Sequence, residues 1–187
     1  AGGGPGQARA IVVGHGEFAG GLVSAVGQIC GMADKLVVLS MMGMTPEDIE
    51  KTIRDQLSRT GLRFAYHNHD FEFKKLATGE MGYDILLKDC DPKIVKMEMD
   101  LYWITKGGQD PLAYFAKWPG RFPLVHVKDM AGSGEITNVG KGTIDWNRIF
   151  AKRREAGIEH FYVERDNQTS PIDDIKVSYD YLSRLGL

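Results

Sequence analysis

The sequence predicts an α/β protein built on a mainly parallel sheet of about six βα units. Three observations point there. Apolar runs of strand length recur along the 187 residues, segments with helical spacing fall between them, and Gly, Pro and Asp punctuate the boundaries. A chain of this length, 43% hydrophobic and 26% charged, can bury a core without staples.

The elements follow in order. Residues 1–7 (AGGGPGQ) have the composition of a flexible leader and carry no chemistry. A buried strand is expected over Arg9–Gly14, then a helix over Phe18–Gly31 with Leu22, Val26 and Ile29 on one side, then a strand over Lys35–Ser40. Thr45, Pro46 and Asp48 mark a helix start, with a capping hydroxyl, a proline at the first helical position and an acid to close the capping box. That helix should end near Arg59. Further strands are expected at Phe64–His69, Val95–Leu101, Leu124–Lys128 and Phe161–Glu164. Helices are expected at Tyr83–Lys88, Pro111–Trp118, Trp146–Ala156 and Pro171–Leu185. The N-terminal βαβα part, 8–59, is flavodoxin-like in pattern, and 60–187 continues it, the two expected as one continuous folded unit.

The later strands carry a particular polarity. In Val95–Leu101, Val95, Met97, Met99 and Leu101 alternate with Lys96, Glu98 and Asp100, so one face is apolar and the other ionisable. A sheet covered by helices on both faces would bury those charges. A barrel strand instead turns its apolar face to the helices and its polar face to the mouth where ligands gather. His67 and His69 share a face, as do His126 and Lys128, and Tyr162 and Glu164. All lie near strand C-terminal ends, where sites form in parallel α/β folds. A lone histidine there is more often structural, but a set in common phase suits a divalent cation such as Mn, Zn, Co or Mg.

Other signals are weaker. The net charge of -2 and pI near 6.2 give no footprint for nucleic acid or an anionic membrane. No apolar run approaches membrane-span length. Cys30 and Cys90 stand far apart in unrelated settings, which fits a reducing, cytoplasmic compartment. Gly14, Gly16 and Ala19 match a dinucleotide fingerprint, but no acid closes the second strand, which ends at Ser40. His67 and His69 form the H-x-H pair of metal-dependent amidohydrolases, although the Glu98–Asp100 strand departs from that pattern.

Taken together, YHNHDFEF, EMDLYWITKGGQDP, FPLVHVKDM, GKGTIDW and FYVERDN resemble the C-terminal half of the sugar phosphate isomerase/epimerase family, the xylose isomerase-like TIM barrels. The resemblance covers nearly all of Gly61–Leu187 and implies half of a (βα)8 barrel. It further implies a divalent metal held by Asp100, His126 and Glu164. The first acidic ligand of the family falls at His67, a departure that leaves a fourth ligand to the metal but removes one of the two carboxylates that usually pass the proton. The implied activity is metal-dependent isomerisation or epimerisation of a sugar or sugar phosphate, or an inactive remnant of it, with Glu164 moving the proton and Lys128 beside the developing oxyanion.

The opening AIVVGHGEFAGGLVSAVGQICG, followed by ADKLVVLS, resembles the first half of the EIIA component of mannose/fructose phosphotransferase systems. That likeness implies a phosphocarrier alternative through His15. It stops near Leu57, without the family's later partners, so little phosphate is expected on His15. Two partial resemblances in one chain imply an engineered or recombined chimera, and a third reading as a scaffold without activity. Six βα units fall short of the usual eight of a closed barrel. An open edge, together with Met41, Met42 and Met44 in one loop, therefore predicts a homo-oligomer.

Overall fold

The computed structural model describes residues 9–14, 17–168 and 170–186. They form two compact units, Ala1–Phe64 and Ala65–Leu187.

In the first unit, β1 (Ala10–Gly14) and β2 (Leu36–Ser40) pair in parallel, with Ala10 opposite Leu36 and Gly14 opposite Ser40. Helix α1 (Phe18–Cys30) makes the crossover. It buries Ala19 and Val23, while Leu22 and Ile29 of the expected apolar side are exposed. Small residues set the approach, since a Cβ at Gly27 would lie 2.9 Å from that of Ala33. Helix α2 (Pro46–Thr60) begins as the sequence predicts. The Thr45 hydroxyl accepts from the Asp48 N–H, and the Asp48 carboxylate accepts from the Thr45 N–H, each at 3.2 Å. Gly61, at φ +69°, closes the helix. Of the three loop methionines only Met42 is exposed, because the chain turns there with the Met44 N–H bonded to the Met41 carbonyl.

The second unit is organised on a four-stranded sheet ordered β3 (Phe64–His67), β4 (Val95–Asp100), β5 (Leu124–Val127), β8 (His160–Val163). Strand β5 pairs in parallel with β4 and with β8. Around it lie α3 (Gly82–Asp89), α4 (Leu101–Lys106), α5 (Pro111–Lys117), α6 (Trp146–Ala151), α7 (Arg153–Ala156) and α8 (Pro171–Arg184). A short antiparallel hairpin joins β6 (Asp129–Met130) to β7 (Ile136–Thr137). The apolar side of the β4 alternation is the core: Met97, Met99, Val125 and Val127 pack among Leu87, Phe115, Phe122 and Trp146. The fold is thus α/β with mainly parallel pairing.

Three features depart from the pattern read above. Strand β4 stops at Asp100, because the Asp100 Oδ1 accepts the N–H groups of Tyr102 and Trp103, each at 2.9 Å, and caps α4. The expected helix over Trp146–Ala156 breaks at Lys152 into α6 and α7. The loop from Asn138 to Asp145 wraps around buried Asp129. Its Oδ2 accepts from the Gly140 N–H, the Gly142 N–H and the Trp146 Nε1–H, and its Oδ1 from the N–H groups of Met130 and Ile144.

Strand β8 has a strand neighbour on one side only among the described residues, and all four of its residues are exposed. No helix among the described residues is long and apolar enough to cross a membrane.

Candidate metal centre

The C-terminal ends of β3, β4, β5 and β8 bring together His67, Asp100, His126 and Glu164, the four residues expected to bind metal. One donor atom from each lies within 4.8 Å of the others. The Asp100 Oδ2 is 3.5 Å from the His67 Nε2 and 3.6 Å from the His126 Nδ1, which is 2.8 Å from the Glu164 Oε2. Donors around a tetrahedral ion at about 2.1 Å stand roughly 3.4 Å apart. The observed spacing therefore brackets that of a coordination shell.

These same four atoms are buried and make no aligned hydrogen bond, their close contacts being ion-pair approaches to one another and to the Lys128 ammonium. Buried polar atoms are nearly always satisfied, so four that converge on one point without aligned hydrogen bonds could hold a cation. Three of the four are placed there by their other contacts or those of their neighbours. Asp100 has used its Oδ1 to cap α4, which leaves the Oδ2 for the cluster. Asn68, fully buried after β3, accepts the Asp100 N–H at 3.0 Å and donates toward its carbonyl at 3.4 Å. The Glu98 Oε1 lies 3.3 Å from the His126 Nε2, so a neutral imidazole holding a cation would keep its proton on Nε2 and turn the Nδ1 lone pair to the cluster. Buried Glu72 accepts from the His69 N–H and the Tyr66 hydroxyl, both at 2.9 Å, and fixes the turn after His67. Within that geometry His69 lies outside the cluster, its ring 5.2 Å from that of Trp103.

The electrostatics favour positive charge. Burial works against the His126 imidazolium but is outweighed by Asp100, Glu98 and Glu164, which raise its pKa to about 10. Burial likewise opposes ionisation of Asp100, yet contacts from His126, His67, the Trp103 N–H and Lys128 bring it down to about 2. Contact with His126 lowers Glu98 against the opposing effect of burial. The Lys128 ammonium, on a side chain only 3% exposed, is 2.9 Å from the Glu164 Oε2 and 3.1 Å from the Asp166 Oδ2. Burial would lower its pKa, but Glu164, Asp100 and Asp166 raise it.

The structure brings together the four residues singled out in the sequence, with Lys128 beside them, and adds Glu98, Asn68 and Asp166, which sequence reasoning did not single out. Glu98 was legible, since it shares the Asp100 face of β4. His15, the residue of the phosphocarrier alternative, lies outside the described residues.

No family model matches the chain. Among curated proteins it is similar to the inosose dehydratase of Lacticaseibacillus casei, 24% identical over 165 residues that cover 74% of this chain and 53% of the relative. The chain therefore spans about half the length of the curated relatives it matches. Among solved structures, one sugar phosphate isomerase/epimerase from Parabacteroides distasonis ATCC 8503 matches with TM-score 0.60 and 25% identity, over 91% of this chain and 69% of that one. A second from the same organism matches with TM-score 0.60 and 28% identity, over 88% of this chain and 64% of that one. Its neighbours in fold are sugar phosphate isomerases/epimerases. Coverage of 91% exceeds the share of the second unit, so the likeness extends into the first. The EIIA-like and chimeric readings gain no support from these relatives.

Proposed function

We propose that the chain binds one divalent metal through His67, Asp100, His126 and Glu164 and moves a proton at the carbon next to a carbonyl of a sugar or sugar-like substrate. The observation that carries this reading is the convergence at the strand ends of four buried donor atoms that make no aligned hydrogen bond. Two imidazole nitrogens and two carboxylate oxygens form a borderline donor set, which suits Zn, Mn or Co better than Mg, whose preference is for oxygen and water. Bound there, the cation would supply Lewis acidity toward substrate oxygens. Glu164 is the most exposed of the four donors, at 41%, and its second oxygen is available to take or return the proton. Lys128 adds fixed positive charge on the same side, where an oxyanion would develop in a site with little water.

Likeness to the sugar phosphate isomerases/epimerases favours isomerisation or epimerisation. The inosose dehydratase relative favours a second reading, elimination of water, which begins with the same proton removal. The histidine at position 67, where the family resemblance implies an acid, fits that alternative because it leaves one fewer carboxylate to return the proton. Metal analysis on protein purified without chelators tests the centre: near-stoichiometric metal in the parent and little in His126→Ala is expected. Equal, negligible metal in both would refute it. Exchange of substrate α-protons with D2O, followed by NMR over a panel of ketoses, aldoses and keto-cyclitols, tests the chemistry, and product structure separates rearrangement from dehydration.

A further inference from the structure

We infer that Asp166 is a positioning residue that anchors the Lys128 ammonium, so that Asp100 and Glu164 remain free to hold a cation. This rests on the metal-binding reading of the cluster. Lys128 has three carboxylate oxygens within reach, at 2.9 Å (Glu164 Oε2), 3.1 Å (Asp166 Oδ2) and 3.5 Å (Asp100 Oδ2). The contact to Asp166 has the alignment of a hydrogen bond. The approaches to the Glu164 Oε2 and the Asp100 Oδ2 are ion pairs without that alignment, and both oxygens also face the common point of the cluster.

The division of labour matters because Lys128 is buried. An ammonium out of water needs a counter-ion or loses its proton. If its counter-ions were the two donor oxygens alone, a divalent ion would compete with it for the same atoms. Binding would then leave a bare ammonium next to a second positive charge. Asp166, 45% exposed on the segment after β8, supplies a carboxylate outside the donor set. On the other side the Trp103 ring lies 5.5 Å from the Nζ and adds the attraction of its π face. Lys128 is thereby held beside the centre without occupying it.

Metal affinity, measured by competition with a chromophoric zinc chelator, reads this out directly. Asp166→Asn should weaken zinc binding by roughly 10-fold or more, the scale on which supporting partners of metal ligands act. Lys128→Met should bind zinc as tightly as the parent or tighter. In the double variant the Asp166→Asn penalty should vanish, because no buried ammonium remains to be anchored. Unchanged affinity in Asp166→Asn, or a double variant as weak as Asp166→Asn, overturns the anchoring role while leaving the metal centre standing. A parent that binds no zinc overturns both.

Discussion

The Asn68 Oδ1 accepts the backbone N–H of Asp100 at 3.0 Å, between residues that follow β3 and end β4. Its amide also reaches the Asp100 carbonyl at 3.4 Å, so one side chain continues the strand pairing past the end of β3. Two of the proposed metal donors, His67 and Asp100, hang from the segments it ties together. Asn68→Ala would leave a buried Asp100 N–H without an acceptor, at about 1–3 kcal/mol. The expected outcome is a stability loss of that size in urea unfolding, with zinc affinity lower by roughly 10-fold. Full affinity in a destabilised variant would show that the tie serves the fold alone.

The pH dependence follows from His126 and Asp100. His126 is raised to about 10 from 6.5, so in metal-free protein its contribution to stability is complete below its ordinary value and is lost as pH rises through about 10. Asp100 is lowered from 3.8 to about 2, so its contribution is present above 3.8 and lost as pH falls toward about 2. Stability of the metal-free protein should therefore be highest between these windows, in mildly acidic solution. Metal must displace the His126 proton, so affinity should climb roughly tenfold per pH unit from about 6.5 upward. Zinc titration calorimetry at pH 7 in buffers of different ionisation enthalpy should find about one proton released per ion. Release near zero would mean that His126 is already neutral.

Asp129 should prove structural. It is fully buried and accepts five hydrogen bonds, from the N–H groups of Met130, Gly140, Gly142 and Ile144 and from the Trp146 ring. Asp129→Ala should cost about 3–5 kcal/mol, because five buried donors lose their acceptor together. Gly142→Ala should be destabilising for the matching reason, since its Cβ would fall 2.2 Å from the Asp129 Oδ1. Urea unfolding measures both, and a loss below about 1 kcal/mol in Asp129→Ala would mean that water replaces the carboxylate.

What the sequence revealed, and what it hid, divides along physical lines. Strand positions and the apolar side of β4 are local patterns, and Met97 and Met99 lie in the core as the alternation requires. The convergence of His67, Asp100, His126 and Glu164 could be read because strand ends in parallel α/β folds meet in one place whatever the details of packing. The end of β4 could not be read from periodicity, because Leu101 continues the alternation while the Asp100 cap stops it. Four of the five partners of Asp129 lie 11 to 17 residues along the chain, and no short window contains them. Asp166 follows β8 on a segment with no repeating pattern, so only the fold shows that it reaches Lys128. The outward turn of Leu22 and Ile29 has the same origin, since helical spacing defines a face but not the direction it points.

The free edge of β8 predicts self-association. Its backbone groups on that side have no strand partner among the described residues, and Phe161, Tyr162 and Val163 are exposed beside it. Helix α8 adds Ile172, Ile175 and Tyr179, exposed at helical spacing, while Ser178 and Leu182 face inward. A row of unpaired donors and acceptors flanked by apolar side chains is a template for another strand. Charge favours a second copy of this chain. Arg153 and Arg154 line the groove by Phe161 at the start of β8, together with Glu159, whereas Glu164, Asp166 and Asp174, with Arg165 among them, line the groove by Val163 at its end. Antiparallel pairing of two β8 strands about a two-fold axis would set the arginine end of each against the acidic end of the other. Sedimentation at micromolar concentration should therefore show a dimer of the 20.8 kDa chain that weakens with added salt. Val163→Lys, which places a charge on the exposed edge, should shift it to monomer with metal content unchanged. A parent that sediments as a monomer at every concentration, or a Val163→Lys variant that remains dimeric, would rule out pairing through β8.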